Sequence, residues 1–351
     1  MKTVRILSID GGGIRGLMPA AFLAALEDRA GRPVHEMFDL VTGTSTGALL
    51  AAGLVKHRPL TAAQVRDYYI RDGDYIFTRS PLRRVASALI GPKYDDQPLE
   101  NVLLAAFGDT WLSDCIVPLL IPSYELGLRQ AWFFKSWKAQ GRDIPAPHHR
   151  VLYDYRLRDV VRAAVAAPTY FRPAKFLSRA GQEGVFIDGA VVANNPALCA
   201  LASARRLNPD AKRFLLLSLG TGQYTSPIGY TESSAWGLVN WARPLLDCMM
   251  DGAADVVAYQ VDEAFGNQVL SYRFDFSHNP LPLSSAIDDA TSGNIRNLVV
   301  TAEREIARND SVLTSLATLL SGNFPENPDD YPDSHPPEKV SEAPLEKPAG
   351  P

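Results

Sequence analysis

The first 55 residues contain two apolar segments, and each is followed at once by a glycine-rich turn and a stretch of helix-forming residues. The first segment is VRILSID (4–10), which runs into three glycines and precedes LMPAAFLAALEDRA (17–30). The second is FDLVTG (38–43), which precedes a helical segment that starts at Thr46. Short apolar runs rich in β-branched residues predict buried strands. The order strand, helix, strand, helix predicts an α/β fold with a parallel sheet.

Later segments continue the alternation between apolar, strand-like runs and helix-forming stretches. Further strands are predicted at 115–125, 184–188, 214–222 and 269–276. Helices are predicted at 60–72, 98–107, 158–166, 196–207, 234–265 and 292–320. The chain has no internal repeat, and 46% of its residues are hydrophobic, which is sufficient for a large core.

The composition changes abruptly at Gly322. The last 30 residues contain eight prolines, seven acidic residues and two lysines, with almost no large apolar side chains. Such a segment cannot bury enough apolar surface to offset the loss of chain entropy on folding. We therefore predict one folded domain over 1–321 and a disordered tail over 322–351.

Charge and cysteine content exclude several classes of function. The formal net charge of −4 gives no electrostatic case for nucleic acid as a partner. The three cysteines (Cys115, Cys199 and Cys248) are too few and too scattered for a disulfide framework or a metal cluster. No run approaches the roughly 20 apolar residues of a membrane span, and the N-terminal apolar stretch is too short for a secretion signal. We expect a cytoplasmic protein, with action at the inner membrane surface as one option.

The pentapeptide GTSTG (43–47) places a serine between a predicted strand and a predicted helix. Flanking glycines permit a tight turn and a close approach of the next helix, so Ser45 would be strained and exposed at a strand-to-helix elbow. Ser45 is therefore a candidate nucleophile, and the alternative is an ordinary helix-capping residue. An α/β-hydrolase fold is disfavoured, because only one strand precedes the elbow strand.

A nucleophilic serine needs a base, and the six histidines are poorly placed for that role. They lie in charged, turn, loop or tail segments, apart from His278, which follows a predicted strand and is retained as a candidate. A carboxylate is then required. Asp188 at the end of GVFID is the best placed, with Asp10 as its rival. Free aspartate has a pKa near 3.9, so burial would have to raise it. The alternative for either aspartate is a structural role, in which the side chain hydrogen-bonds to the backbone of its own turn.

Two functions compete for the glycine-rich segment DGGGIRG (10–16). Gly11, Gly13 and Gly16 fit a dinucleotide-binding fingerprint, which also expects an acidic residue at the end of the second strand. Asp39 lies near the right distance but at the start of that strand. Alternatively, consecutive glycines expose backbone N–H groups as an oxyanion hole beside the serine elbow. The second interpretation accounts for both glycine motifs together.

In this order, DGGGIRG, GTSTG and the DGA of DGAVVANNP (188–196) resemble the motifs of the patatin-like phospholipase family. AAPTYF (166–171) and LSLGTG (217–222) resemble further stretches of that family. The resemblance runs through roughly residues 4–300. It implies a three-layer α/β/α fold with a mostly parallel central sheet.

The resemblance also implies a Ser–Asp dyad without histidine, and it assigns roles by motif position. Ser45 takes the role of nucleophile and Asp188 that of proton acceptor. Gly11, Gly12 and Gly13 form the oxyanion hole, with Arg15 beside them. The activity implied is a serine-dependent lipid acyl hydrolase that acts on membrane glycerophospholipids through an acyl-enzyme, with no cofactor and no metal.

Two further hypotheses remain open at this stage. Some bacterial patatin-like proteins are phospholipase effectors that a cyclic nucleotide activates in antiphage defence, and this chain is similar to them in size. A nucleotide-binding module that uses the glycine loop, with Ser45 structural, is the alternative from another class. For membrane access, 76–94 is a candidate interfacial or lid segment through Arg79, Arg83, Arg84 and Lys93, whereas 131–140 and 234–250 are expected to be core.

Overall fold

The computed structural model describes residues 3–78, 91–222, 228–265, 268–276, 283–284 and 286–322. Its strands are β1 (Thr3–Ile9), β2 (Leu40–Gly43), β3 (Leu119–Glu125), β4 (Gln130–Lys135), β5 (Ala174–Leu177), β6 (Glu183–Asp188), β7 (Arg213–Leu219) and β8 (Val269–Phe274). Its helices are α1 (Leu17–Ala30), α2 (Val34–Met37), α3 (Thr46–Val55), α4 (Ala62–Ile76), α5 (Asp96–Phe107), α6 (Ser136–Ala139), α7 (Leu157–Ala164), α8 (Ala190–Ala193), α9 (Ala197–Leu207), α10 (Tyr230–Ser233), α11 (Leu238–Phe265), α12 (Ser292–Arg308) and α13 (Asp310–Leu320). Short 3₁₀ helices span Gly13–Gly16, Leu112–Asp114 and Pro147–Leu152.

The strands form one eight-stranded sheet in the order β5-β6-β3-β2-β1-β7-β8, with β4 also paired to β3. The pairs β1–β2, β1–β7, β7–β8 and β2–β3 are parallel. In contrast, β4 and β6 run antiparallel to β3, and β5 runs antiparallel to β6. The predicted α/β class with a mostly parallel sheet is confirmed.

The central strands bury both faces, which explains why their sequences are continuous apolar runs. In β1, Leu7 and Ile9 belong to one hydrophobic core, whereas Val4 and Ile6 belong to the core on the other face. Residues of α1, α3, α4, α12 and α13 fill the first core, and residues of α9 and α11 contribute to the second. Helices therefore cover both faces, as the predicted three-layer α/β/α architecture requires.

Several element boundaries differ from the prediction. β4 and β5 were not predicted, because the turn before β4 (126–129, LGLR) carries no strong hairpin signal and β5 is only four residues long. The single helix predicted at 292–320 is two helices separated at Asn309. β3 begins at Leu119 rather than at 115.

The two aromatic segments expected in the core have different outcomes. In 131–140, Phe134 and Trp137 are each only 1% exposed, so that prediction is confirmed. In 234–250 the prediction is wrong, since Leu245 is 51% and Met249 62% exposed. The reason is that α11 joins the core through its C-terminal part, where Val261 is buried and Val257 and Phe265 pack beside it.

No helix within the described ranges is both long enough and apolar enough to cross a bilayer. The predicted disordered tail lies outside the described residues from position 323 onward. The domain boundary therefore stays a prediction.

Candidate active site

Ser45 lies between β2 and α3 in a backbone conformation that most residues avoid. Its φ is 52° and its ψ is −122°, a strained combination that costs on the order of 1–3 kcal/mol. The neighbouring glycines are required by close contacts. A Cβ at Gly43 would lie 2.0 Å from the carbonyl oxygen of Gly47, and a Cβ at Gly47 would lie 2.3 Å from that of Ile9. The sequence thus forms the tight elbow that its pattern predicts.

The sheet register brings the elbow to Asp188. β2 pairs with β3 at Thr42 and Leu120. Because the two strands are parallel, Ser45 and Ser123 each follow three residues after this pair. β6 runs in the opposite direction and pairs Asp188 with the same Ser123. The ends of β2 and β6 therefore meet, and Ser45 Oγ donates a 2.8 Å hydrogen bond to Asp188 Oδ2.

This arrangement corrects one expectation about Asp188. An aspartate at the end of a strand such as GVFID is expected at the carboxyl edge of a parallel sheet, but its strand β6 is antiparallel to β3. The β5–β6 hairpin enters the sheet from the opposite end, and β6 pairs with the part of β3 that lies beyond its pairing with β2. Asp188 therefore reaches Ser45 from the end of an antiparallel strand, and not from a neighbouring parallel strand.

The Asp188 carboxyl group is buried and held by two donors. Its residue is only 2% exposed, and its Oδ1 accepts a 2.8 Å hydrogen bond from the N–H of Ala190. Burial raises the pKa of Asp188 to about 7, although the hydrogen bonds from Ala190 and Ser45 act in the opposite direction. A carboxylate with such a pKa can accept a proton near neutral pH.

The segment that follows Asp188 also holds the elbow and the glycine loop. The hydroxyl of Thr44 donates to the carbonyl oxygen of Ala193 at 2.6 Å. The carbonyl oxygen of Asn194 accepts a hydrogen bond from the N–H of Gly11 at 3.1 Å. The sequence of this segment, DGAVVANNP, contains no local pattern that predicts these two contacts.

The glycine loop lies beside Ser45, but its residues are not equivalent. A Cβ at Gly11 would lie 3.2 Å from Ser45 Cβ, so the loop and the elbow are in close contact. The N–H of Gly11 is already bonded to Asn194, which removes it as an oxyanion donor. The N–H groups of Gly12 and Gly13 have no acceptor among the described residues. The Nε of Arg15 donates to the carbonyl oxygen of Gly12 at 3.4 Å, so this side chain folds back onto the loop.

The rival acidic residues are engaged elsewhere. Asp10 is buried and forms a 2.7 Å ion pair with Arg273. Burial is the largest cause that raises the pKa of Asp10, to about 6, against the attraction of that arginine. Asp39, which the dinucleotide interpretation needs, is bound by Arg5 at 3.0 Å near the start of β2. Neither carboxylate is hydrogen-bonded to Ser45.

Histidine plays no part in the hydrogen bonding of Ser45 or Asp188 among the described residues. His57, His148 and His149 are exposed, and His35 lies in α2. The remaining candidate, His278, falls outside the described residues.

Ser45 opens onto a pocket of about 780 Å³ when the open solvent at its mouth is included, of which about 90 Å³ can hold the centres of water-sized molecules. Apart from Gly13, Ser45 and Thr46, most of its lining is apolar or aromatic: Ile14, Leu49, Tyr68, Tyr69, Gly73, Ile76, Phe77, Leu99, Val102, Val165, Ala167, Tyr170, Phe171 and Ile287. The polar end of Tyr69 is satisfied, because its hydroxyl bonds Thr46 Oγ1 at 2.6 Å and donates to the Thr46 carbonyl oxygen at 3.0 Å. The walls can therefore accept an apolar chain without leaving this hydroxyl group unpaired.

The segment 76–94, a candidate interfacial or lid helix with an ordinary surface helix as the alternative, is only partly described. Ile76 and Phe77 line the pocket. Arg79, Arg83 and Arg84 lie outside the described residues. Lys93 forms an ion pair with Asp288, so its charge is compensated within the protein. The interfacial role of this segment stays a prediction.

Comparison with known proteins identifies the family. The family model described as "Patatin-like phospholipase" matches residues 7–201. Patatin-like protein 2 of Arabidopsis thaliana is 34% identical over 302 residues, which cover 75% of this chain and 72% of that protein. Patatin-17 of Solanum cardiophyllum is 31% identical, with coverage of 86% and 83%. The cGAMP-activated phospholipase of Pseudomonas aeruginosa is 32% identical, with coverage of 76% and 77%. The chain therefore belongs to the patatin-like phospholipase family.

Proposed function

We propose that the chain is a serine-dependent carboxylic ester hydrolase that removes acyl chains from glycerophospholipids, a lipid acyl hydrolase of the phospholipase A type. Ser45 is the nucleophile and Asp188 the proton acceptor. The observation that carries this proposal is the 2.8 Å hydrogen bond from Ser45 Oγ to Asp188 Oδ2. It joins a strained elbow serine to a buried carboxylate whose pKa is raised to about 7. Family membership supports the same chemistry.

In the acylation step, Ser45 Oγ attacks the ester carbonyl carbon while its proton passes to Asp188 Oδ2. The carbonyl oxygen becomes an oxyanion, and the N–H groups of Gly12 and Gly13 donate to it, with the N–H of Thr46 at the start of α3 as a further donor. The carbon–oxygen bond to the alcohol then breaks. The alcohol takes the proton from Asp188 and leaves, and the acyl group remains on Ser45.

In the deacylation step, Asp188 accepts a proton from water as the water oxygen attacks the acyl carbon. The same N–H groups stabilise the second oxyanion. Collapse of this intermediate breaks the bond to Ser45 Oγ, which recovers its proton from Asp188, and the fatty acid is released. The N–H of Ala190 holds Asp188 Oδ1 throughout, so Oδ2 stays directed at the serine.

The apolar pocket supports a lipid substrate. A fatty acyl chain gains roughly 0.8 kcal/mol for each CH₂ that it buries. Walls formed by side chains such as Leu49, Phe77 and Phe171 supply that environment directly beside Ser45. A dinucleotide would need a free acidic side chain for its ribose, and the ion pair of Asp39 with Arg5 argues against that alternative.

A fluorophosphonate probe tests the nucleophile and the base. Wild type is expected to be labelled at Ser45 and to cleave phosphatidylcholine in mixed micelles. Ser45→Ala and Asp188→Asn should lose labelling and at least about 10³-fold in kcat, because both residues act in the same step. Mass spectrometry of the labelled peptide and fatty-acid release are the measurements.

A second buried Ser–Asp pair gives the matched control. Ser113 Oγ donates to Asp154 Oδ2 at 2.9 Å, but this pair has no place in the pocket. Ser113→Ala and Asp154→Asn make the same chemical changes and should keep labelling and activity within about threefold. Retention of both by Ser45→Ala would exclude the proposed nucleophile.

The pH dependence of kcat/KM tests the raised pKa of Asp188. Only the ionised carboxylate can accept the proton of Ser45, and its pKa is about 7. We expect kcat/KM for a water-soluble ester to rise about tenfold per pH unit below that value and to become constant above it. A profile that is flat between pH 5 and pH 8 would contradict this assignment.

Stability provides a check on Asp188 that does not depend on activity. Its pKa is about 7 in the folded protein and 3.8 as an ordinary aspartate, so the folded state binds the proton more tightly. This carboxyl group therefore makes the free energy of unfolding fall as the pH rises from about 4 to about 7. Asp188→Asn should raise that free energy by ~2–4 kcal/mol at pH 8 and by little at pH 4, as measured by urea unfolding.

Asp288→Asn is the control, because it should change the free energy of unfolding at pH 8 in the opposite direction. Burial acts to raise the pKa of Asp288, but hydrogen bonds from Lys93 and Tyr94 lower it overall. This carboxylate therefore stabilises the fold above its ordinary pKa and loses that effect in acid. Asp288→Asn should destabilise the protein at pH 8. A Asp188→Asn variant that also loses stability at pH 8 would contradict the raised pKa.

A second candidate function is activation by a cyclic dinucleotide, as in an effector of antiphage defence. The similarity to the Pseudomonas enzyme, 32% identity over 273 residues, favours this hypothesis. We expect cGAMP to raise the rate of fatty-acid release by wild type at least about tenfold, with a linear dinucleotide as the control. Equal rates with and without cGAMP would exclude activation by this nucleotide and leave the hydrolase proposal intact.

A further inference from the structure

The main chain of Gly11 is held on both sides. Its N–H donates to the carbonyl oxygen of Asn194 at 3.1 Å. Its own carbonyl oxygen accepts a 2.6 Å hydrogen bond from the hydroxyl of Thr221. Thr221 is only 5% exposed, so water competes little for this bond. The peptide that joins Gly11 to Gly12 therefore has a fixed orientation.

The sheet register places Thr221 at this position. β1 and β7 are parallel and pair Ile9 with Leu219. Gly11 and Thr221 each follow two residues after this pair, just beyond the ends of the two strands. Thr221 belongs to LSLGTG, which resembles a stretch of the patatin-like family, and the proposed reaction assigns no role to this stretch.

Peptide geometry connects this hydrogen bond to the oxyanion hole. The carbonyl of Gly11 and the N–H of Gly12 belong to one planar trans peptide unit, and they point in opposite directions. A donor that fixes the carbonyl on one side thus fixes the N–H on the other side. Hydrogen bonding to the carbonyl also polarises the amide and strengthens its N–H as a donor.

Thr221 also limits the position of Gly12 by contact. A Cβ at Gly12 would lie 2.0 Å from Thr221 Oγ1, so the hydroxyl group and the loop are tightly packed. The N–H of Gly12 points away from this hydroxyl and has no acceptor among the described residues.

We infer that Thr221 is a positioning residue for the oxyanion hole: its hydroxyl holds the Gly11–Gly12 peptide so that the N–H of Gly12 points at the ester oxygen. This inference rests on the proposed hydrolase function. The hydroxyl of Thr221 bonds the Gly11 carbonyl and is not hydrogen-bonded to Ser45 or Asp188, so it acts through the orientation and polarity of one amide.

The test compares Thr221→Val with Thr221→Ser. Valine has the shape of threonine but no hydroxyl, whereas serine keeps the donor. Direct loss of one oxyanion donor costs about 10²–10³ in kcat, so we expect Thr221→Val to lose ~10–100-fold in kcat on a p-nitrophenyl ester, with KM changed less than about threefold. Thr221→Ser should recover kcat to within about threefold of wild type. Thr221→Ala removes the same donor with less bulk if valine is not accommodated.

A transition-state analogue separates this role from a structural one. An alkyl trifluoromethyl ketone forms a tetrahedral adduct with the serine and places its oxyanion in the hole, so its affinity should fall by the same factor as kcat/KM in Thr221→Val. The pH midpoint of kcat/KM should not move, because Asp188 is untouched.

Thr42→Val is the matched control. Thr42 is also buried, and its hydroxyl donates to the carbonyl oxygen of Leu120 at 2.8 Å. Thr42→Val should lose stability but keep kcat within about twofold. The inference is overturned if Thr221→Val keeps kcat within twofold, if Thr221→Ser fails to recover it, or if Thr42→Val loses as much. Full activity of Ser45→Ala would instead overturn the proposed function.

Discussion

A buried carboxylate without a cationic partner is the constraint on which the arrangement around Ser45 depends. Among the described residues, Asp188 receives only the N–H of Ala190 and the hydroxyl of Ser45. The other buried aspartates of the described residues differ, since Asp10 and Asp154 each form an ion pair with an arginine and Asp288 forms one with Lys93. Burial therefore raises the pKa of Asp188 to about 7 and opposes folding at neutral pH. The rest of the fold must offset this cost. The raised pKa also suits Asp188 to the proposed role of proton acceptor.

The strand end that carries Asp188 also connects the parts of the site. Within seven residues it supplies the carboxylate to Ser45, the carbonyl of Ala193 to Thr44 and the carbonyl of Asn194 to Gly11. The proposed nucleophile, the proposed base and the glycine loop are thus all held by one short segment rather than by separate loops. A displacement of this segment would move all of them together, so their relative geometry depends on few degrees of freedom.

The sequence predicts those features that local patterns determine, and it fails where distant pairing decides. The elbow follows from GTSTG between a strand and a helix, and Asp188 follows from a strand that ends in Asp-Gly. The antiparallel entry of β6 depends on pairing between Ser123 and Asp188, and no local pattern specifies it. Similarly, three adjacent glycines look equivalent in sequence. Only the fold shows that the N–H of Gly11 is occupied and that Thr221 bonds its carbonyl.

Among the described residues, two serine hydroxyls donate to a buried aspartate, and the surroundings of the two pairs differ. Ser113 sits in a 3₁₀ helix without positive φ, and its partner Asp154 also binds Arg179 and the Ser113 N–H. That carboxylate has a cationic partner, which Asp188 lacks among the described residues. Ser45 combines a strained backbone, a buried carboxylate partner, an apolar pocket and the nearby N–H groups of Gly12 and Gly13, which have no acceptor among the described residues. The reactivity that we propose for Ser45 therefore depends on the fold around the pair and not on the hydrogen bond alone.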